Sequence, residues 1–96
     1  MDNMRPTMTM VASGEKVWKL NGKYHRTDGP AIEFADGDKW WYLNGDRHRI
    51  DGPAIEYADG DKSWYLYGIY YHFNVWLDVN SDITDGEKVM IKLQYG

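Results

Sequence analysis

Two histidines, His25 and His48, each followed at once by an arginine and two residues later by an aspartate, are the groups in this chain best placed to do chemistry. Histidine is the usual metal ligand and proton shuttle near neutral pH, and an arginine beside a carboxylate could bind an anion or form an acid/base pair. The spacing argues for a different role. His25 and His48 are 23 residues apart in nearly identical surroundings, as are Arg26/Asp28 and Arg49/Asp51. A catalytic site need occur only once, so groups that recur at a fixed interval are expected to hold the fold. With two strands per copy at about 4.8 Å per strand, equivalent histidines fall on the order of 10 Å apart, too far to share one zinc ion. They read as hydrogen-bonded turn residues, and the arginines as a structural ladder to carboxylates across loops.

Asp36, Asp38, Asp59 and Asp61, with Glu15, gather at a second set of turns. Calcium or a basic partner could use them, but Lys16, Lys39 and Lys62 interleave and the calcium-loop spacing is absent. They read as solvated turn charges, and no metal or cofactor is expected. The opposite edge collects Lys23, Arg26, Arg47 and Arg49, so the two edges differ in charge, which would orient a partner. No cysteine is present, which removes thiolate zinc sites, cysteine nucleophiles and disulfides. No Ser-His-Asp order or glycine-rich phosphate loop is visible, and the chain is read as non-enzymatic.

Aromatic residues make up 16% of the chain, with 5 Trp and 8 Tyr. Such rings dominate interfaces when exposed. A net charge of −4 argues against nucleic acid as a partner, because phosphate contacts demand a basic surface. No stretch approaches the roughly 20 apolar residues that span a bilayer, and Met1 to Met10 has no apolar targeting core. No membrane partner is expected, and a cytoplasmic setting is the expectation.

The elements that position these groups follow from the same interval. Trp18, Trp41 and Trp64 stand 23 apart (41 − 18 = 64 − 41), as do Gly22, Gly45 and Gly68. The string N-G-x-x-H-R-x-D-G-P-A-I-E-[FY]-A-D-G-D-K runs from Asn21 to Lys39 and again from Asn44 to Lys62. A unit this short cannot bury its own apolar face, so copies must stack. Asn-Gly at 21 and 44 and Asp-Gly at 36 and 59 are two-residue hairpin signals. Strands are expected over 31–34, 39–43, 54–57 and 62–66. Period-2 alternation puts Trp18/Leu20, Trp41/Leu43 and Trp64/Leu66 on a packed face, shared by Ile32/Phe34 and Ile55/Tyr57, with Ala31/Glu33 and Ala54/Glu56 outside. Trp40, Tyr42 and Tyr65 then form an aromatic stripe on the other face, which Tyr24, Tyr70 and Tyr71 extend at the loop edge.

The tail departs from the repeat. Phe73, Trp76 and Leu77 have the spacing of a two-turn amphipathic helix that would cover the last Trp/Leu face. Residues 83–95 read as a capping strand, since Val89, Ile91 and Leu93 alternate with polar neighbours after Asp85-Gly86. The expected fold is mainly β: one domain over 1–96, a single-layer antiparallel meander of hairpin repeats over 8–71, then a helix and a strand cap over 72–96.

Tyr57-Ala58-Asp59-Gly60-Asp61-Lys62, preceded by Asn44-Gly45-x-x-His48, resembles the MORN repeat (membrane occupation and recognition nexus), a 23-residue hairpin unit with Tyr-x-x-Gly and Asn-Gly-x-x-His-Gly elements. The resemblance spans about Met8 to Tyr71 and departs where Arg26 and Arg49 replace the glycine after histidine, and where Asp-Gly-Pro-Ala replaces the second glycine motif. This variant is similar to MORN-like repeat proteins of large-genome bacteriophages and, more distantly, to MORN-repeat antitoxins. The resemblance implies a phage interaction protein that binds and inhibits a bacterial host or defence protein. Trp40, Tyr42, Tyr65, Tyr24, Arg26, Arg47, Arg49 and Tyr70 are its expected contact residues. Two alternatives stay open. One is a sponge trapping a signalling nucleotide between aromatics and Arg26/Arg49; the other is a structural, self-assembling phage component whose partner is its own copy.

Overall fold

Where the chain reverses at 21–22, 44–45 and 67–68, both turn residues adopt positive φ, with Asn21 at 52°, Asn44 at 51° and Tyr67 at 50°, each followed by a glycine at 79–87°. Two consecutive left-handed residues make the hairpin turn whose twist matches that of the strands it joins. The Asp-Gly reversals differ. Only Gly37 and Gly60 have positive φ there, and the loop is wider, because Phe34 N–H donates to the Asp38 carbonyl while Gly37 N–H donates to that of Phe34. Asp36 and Asp59 carboxylates accept from the N–H two residues on, at 3.1 and 2.9 Å, which is the turn role expected of them.

The protein, described by a computed structural model over residues 5–96, is mainly β. Residues 1–4 lie outside the described part, and with them part of the segment expected to lack a targeting signal. The strands are β1 (Thr7–Met10), β2 (Lys16–Leu20), β3 (Lys23–Tyr24), β4 (Ile32–Glu33), β5 (Lys39–Trp40), β6 (Tyr42–Leu43), β7 (Asp46–Arg47), β8 (Ile55–Glu56), β9 (Lys62–Leu66) and β10 (Ile69–Tyr71). They pair antiparallel in the order β1-β2-β4-β5-β8-β9-β10, with β3 on β2 and β6 on β7. No described helix is long and apolar enough to cross a membrane.

The segment 39–43 is two strands rather than one because Trp41 changes partners. Its N–H donates to Ala54 O, while its own carbonyl accepts from His48. Trp18 does the same with Ala31 and His25. Each copy is therefore a pair of hairpins that meet at a tryptophan, and copies join through backbone bonds such as Gly45 N–H to Tyr24 O and Gly68 N–H to Arg47 O.

Register corrects the expected faces. Ile32 pairs with Val17 and Trp40, and Ile55 with Trp40 and Ser63, so these residues share the face of Trp40 and not that of Trp41. Glu33 and Glu56 fall instead in a row Lys16, Glu33, Lys39, Glu56, Lys62, with charges alternating across five strands. Ala31 and Ala54, expected outside, are fully buried. Strands of two residues are too short for alternation to declare a face.

The tail folds as two helices joined by residues 80–84. The first helix, α1 (Phe73–Val79), lies where the spacing predicts it, and Trp64, Leu66, Trp76 and Ile91 form the buried core cluster. The expected strand at 83–95 is a second helix, α2 (Asp85–Tyr95). Thr84 and Glu87 form a capping box, each side chain bonding the other's backbone N–H, at 3.1 and 2.8 Å. Ile91 packs inward while Val89 and Leu93 are exposed, a helical distribution that the alternation of 89, 91 and 93 disguised.

Candidate functional site

The repeated H-R-x-D-G-P segments are loops that stand over the Trp18, Trp41 and Trp64 face, and each is locked by its own arginine. Arg26 Nε donates to Asp28 at 2.9 Å, and its Nη1 donates to the Pro30 carbonyl at 3.1 Å and to Glu33 at 3.2 Å. Arg49 repeats the set with Asp51, Pro53 and Glu56 at 3.0, 3.1 and 2.8 Å. Both guanidinium groups sit over a tryptophan, the Arg26 carbon 3.8 Å from the Trp18 ring centroid and the Arg49 carbon 3.9 Å from that of Trp41. The glycines are small for the same reason: a Cβ at Gly52 would sit 2.7 Å from the Arg49 guanidinium carbon. The Arg-to-carboxylate ladder expected to run across loops is instead closed within each copy, since Arg26 bonds only Asp28 and Glu33 among carboxylates and Arg49 only Asp51 and Glu56. Asp28, held by the Arg26 hydrogen bond and charge, titrates below the ordinary carboxylate range.

The histidines join one copy to the next. His25 Nδ1 accepts from Asn44 N–H at 3.0 Å, and His48 Nδ1 accepts from Tyr67 N–H at 2.9 Å. Each ring therefore carries its proton on Nε2. Tyr67 occupies the left-handed position held by asparagine in the earlier copies, a conformation that costs a side-chain-bearing residue roughly 1 kcal/mol. Its ring lies 4.1 Å from His48 and its hydroxyl donates to Asp82 at 2.8 Å, which holds it there and raises the phenol's pKa. Burial pushes the His48 imidazole below its ordinary 6.5, against weaker upward pulls from Asp82 and Asp46. The unfolded chain then takes up a proton near pH 6.5 that the folded protein refuses. This contribution to stability is complete above 6.5 and is lost as pH falls from there toward the depressed folded value. His48→Asn is expected to flatten the decline of melting temperature below pH 6.5, and parallel profiles for both proteins would refute the assignment.

The aromatic stripe is not open. Trp40, Tyr42 and Tyr65 are half-buried. Trp40 meets Phe34 edge to face at 5.1 Å and stacks with Tyr42 at 6.5 Å, Tyr24 meets Tyr42 at 5.2 Å, and Tyr65 meets Tyr70 at 5.6 Å. Arg47 threads the group, over Trp40 at 5.0 Å and Tyr65 at 5.4 Å, and donates to the hydroxyls of Tyr42 and Tyr65. Those phenol contacts hold it further on the protonated side than an ordinary guanidinium. Of the expected contact residues only Tyr70 is well exposed. The structure brings Trp40, Tyr42, Tyr65, Tyr24, Arg47 and Tyr70 together on one face and places Arg26 and Arg49 on the other.

The open surface is on the loop side. Between the first and second loops lies a groove of about 630 Å³, floored by Trp41 and Leu43 and walled by Thr27, Gly29, Pro30 and Ile50. A smaller one, about 380 Å³, lies over Trp18 beside Pro6. Sequence reasoning read Trp41/Leu43 as packed and so missed this groove. The signal was the tail, whose single two-turn helix can cover only one of the three tryptophans. Among the described residues no cluster could hold a metal ion.

Searches of protein-family models, curated proteins and solved structures find no match to this chain.

Proposed function

We propose that this chain is a non-enzymatic interaction protein that binds a protein partner across its loop-side grooves. The observation that carries this reading is the groove over Trp41, which offers apolar floor and loop carbonyls, while the groups that could do chemistry are committed to structure. Arg26 and Arg49 donors go to carboxylates and proline carbonyls, and both His25 and His48 accept from the next copy's turn. Each guanidinium is already paired with two carboxylates, whose negative charge disfavours a nucleotide phosphate beside them, and this favours a protein over a nucleotide. The resemblance to phage MORN-like chains supplies the rest of the proposal: the partner is a bacterial host or defence protein, and binding inhibits it.

Affinity capture from bacterial lysate tests the reading. A specific partner should be retained by wild type and by Tyr70→Ala and lost with Thr27→Glu, which places charge in the groove wall. Retention by all three, or no specific partner at all, counts against it. A second reading, self-assembly, is favoured by β1, which ends the strand order with all four residues exposed. Light scattering that shows a strict monomer at high concentration would exclude it.

A further inference from the structure

The groove over Trp41 has a sister 23 residues along the chain, and that sister is already occupied. Helix α1 lies against the third copy. Trp76 is fully buried, its ring 4.6 Å from Trp64, and its indole N–H donates to the Tyr65 carbonyl at 3.3 Å. One turn on, Asn80 is also fully buried, and its amide donates to the Ile50 carbonyl at 2.9 Å. Subtracting the repeat maps Trp64, Tyr65 and Ile50 onto Trp41, Tyr42 and Thr27, which border or line the open groove. The backbone repeats as well: Arg26 N–H donates to Tyr42 O just as Arg49 N–H does to Tyr65 O. Burial records the difference between the two sites. Gly52 and Pro53, on the loop that α1 touches, are buried, while Gly29 and Pro30, their counterparts in the open groove, are only half-buried.

We infer that the groove over Trp41 takes a short helix of a partner protein that presents an aromatic side chain and, four residues later, an asparagine or glutamine, in the manner of α1 on the third copy. The aromatic ring would pack against Leu43 and the part of Trp41 left open beside the Arg49 guanidinium, which stands where the third copy has His72, and the amide would donate to Thr27 O. Among the described residues nothing donates to that carbonyl. Residues four apart share a helix face, so one turn supplies both contacts. The flanking guanidinium groups are each paired with two carboxylates, so the groove calls for an uncharged helix face. That matches α1 and its C-cap, whose inward residues are Trp76, Leu77 and the cap Asn80 and whose ends carry no acidic first turn or basic last turn. This inference rests on the proposed protein-binding function and adds what kind of segment is bound.

The probe is a hydrocarbon-stapled peptide of residues 71–81, since a helix this short is marginal alone in water, titrated by fluorescence anisotropy against the full chain. Saturable binding is expected. It should weaken at least 10-fold against Thr27→Glu, at least 10-fold when the peptide's tryptophan is replaced by alanine, and about 3-fold or more when its asparagine is. Thr27 is exposed, so the variant should keep the wild-type melting temperature and circular dichroism, and Thr27→Trp, which fills the groove without charge, serves as a second block. No saturation overturns the inference. So does binding that ignores both Thr27 variants, since the peptide would then be replacing α1 on the third copy. Concentration-dependent dimers lost with Thr27→Glu would put a second copy's helix in the groove and overturn a foreign partner. If the peptide fails while lysate capture still depends on Thr27, protein binding stands and only the helical occupant falls.

Discussion

Trp76→Ala is expected to destabilise the protein by about 3–5 kcal/mol, the cost of emptying a fully buried tryptophan site. Trp76 packs on Trp64, which also meets Phe73 at 4.6 Å and Tyr95 at 5.1 Å, so the cavity would open in the middle of the one cluster that holds both helices to the sheet. The lost indole donor adds to this by withdrawing one partner from the Tyr65 carbonyl. Against a total stability of roughly 5–15 kcal/mol for small domains, such a loss leaves little margin. The effect is also asymmetric along the array. Terminal repeats need caps, and here the third copy is capped from within the chain while Trp18 and Trp41 are roofed only by arginine. Urea titration followed by tryptophan fluorescence measures it, and a loss below about 1 kcal/mol would mean α1 does not hold the third copy.

Arg49→Ala should cost about 2–3 kcal/mol, from charged hydrogen bonds that individually contribute roughly 1.5–3 kcal/mol and from the groups left behind. Glu56 and the buried Pro53 carbonyl lose their donor, and the Trp41 ring loses its cover. Arg49→Lys should recover little, because an ammonium group cannot reach Asp51, the Pro53 carbonyl and Glu56 together while sitting over an indole. Asp51→Asn should be nearly silent by comparison, since that carboxylate is 74% exposed and exposed pairs contribute about 0–1 kcal/mol. Denaturant midpoints for the three variants decide the matter, and a lysine variant equal to wild type would refute the forked bonding over Trp41.

Much of this was legible from spacing because a repeat states its turns more than once. Asn21-Gly22 and Asn44-Gly45 announced the hairpins, and Phe73, Trp76 and Leu77 announced α1 and the surface it covers. The errors have local causes. Strands as short as Ile32–Glu33 offer a single step of alternation, so their face was settled by cross-strand pairing with Trp40. Asp85-Gly86 looked like the repeat's own turn signal, but Thr84 and Glu87 around it make a helix start, and the capping box prevailed over the alternation of Val89, Ile91 and Leu93. The aromatic stripe was read as open because nothing in sequence says that Arg47 runs between Trp40 and Tyr65. The groove escaped notice because it is defined by what does not cover Trp41.

The most direct test of the loop-side binding surface is site-specific photocrosslinking in bacterial lysate, with a benzophenone side chain at Thr27 in one protein and at Tyr70 in another. The account predicts a discrete protein adduct from position 27 that excess stapled 71–81 peptide suppresses, and none of comparable yield from position 70. An adduct from position 70 alone would return the function to the aromatic face and contradict the account.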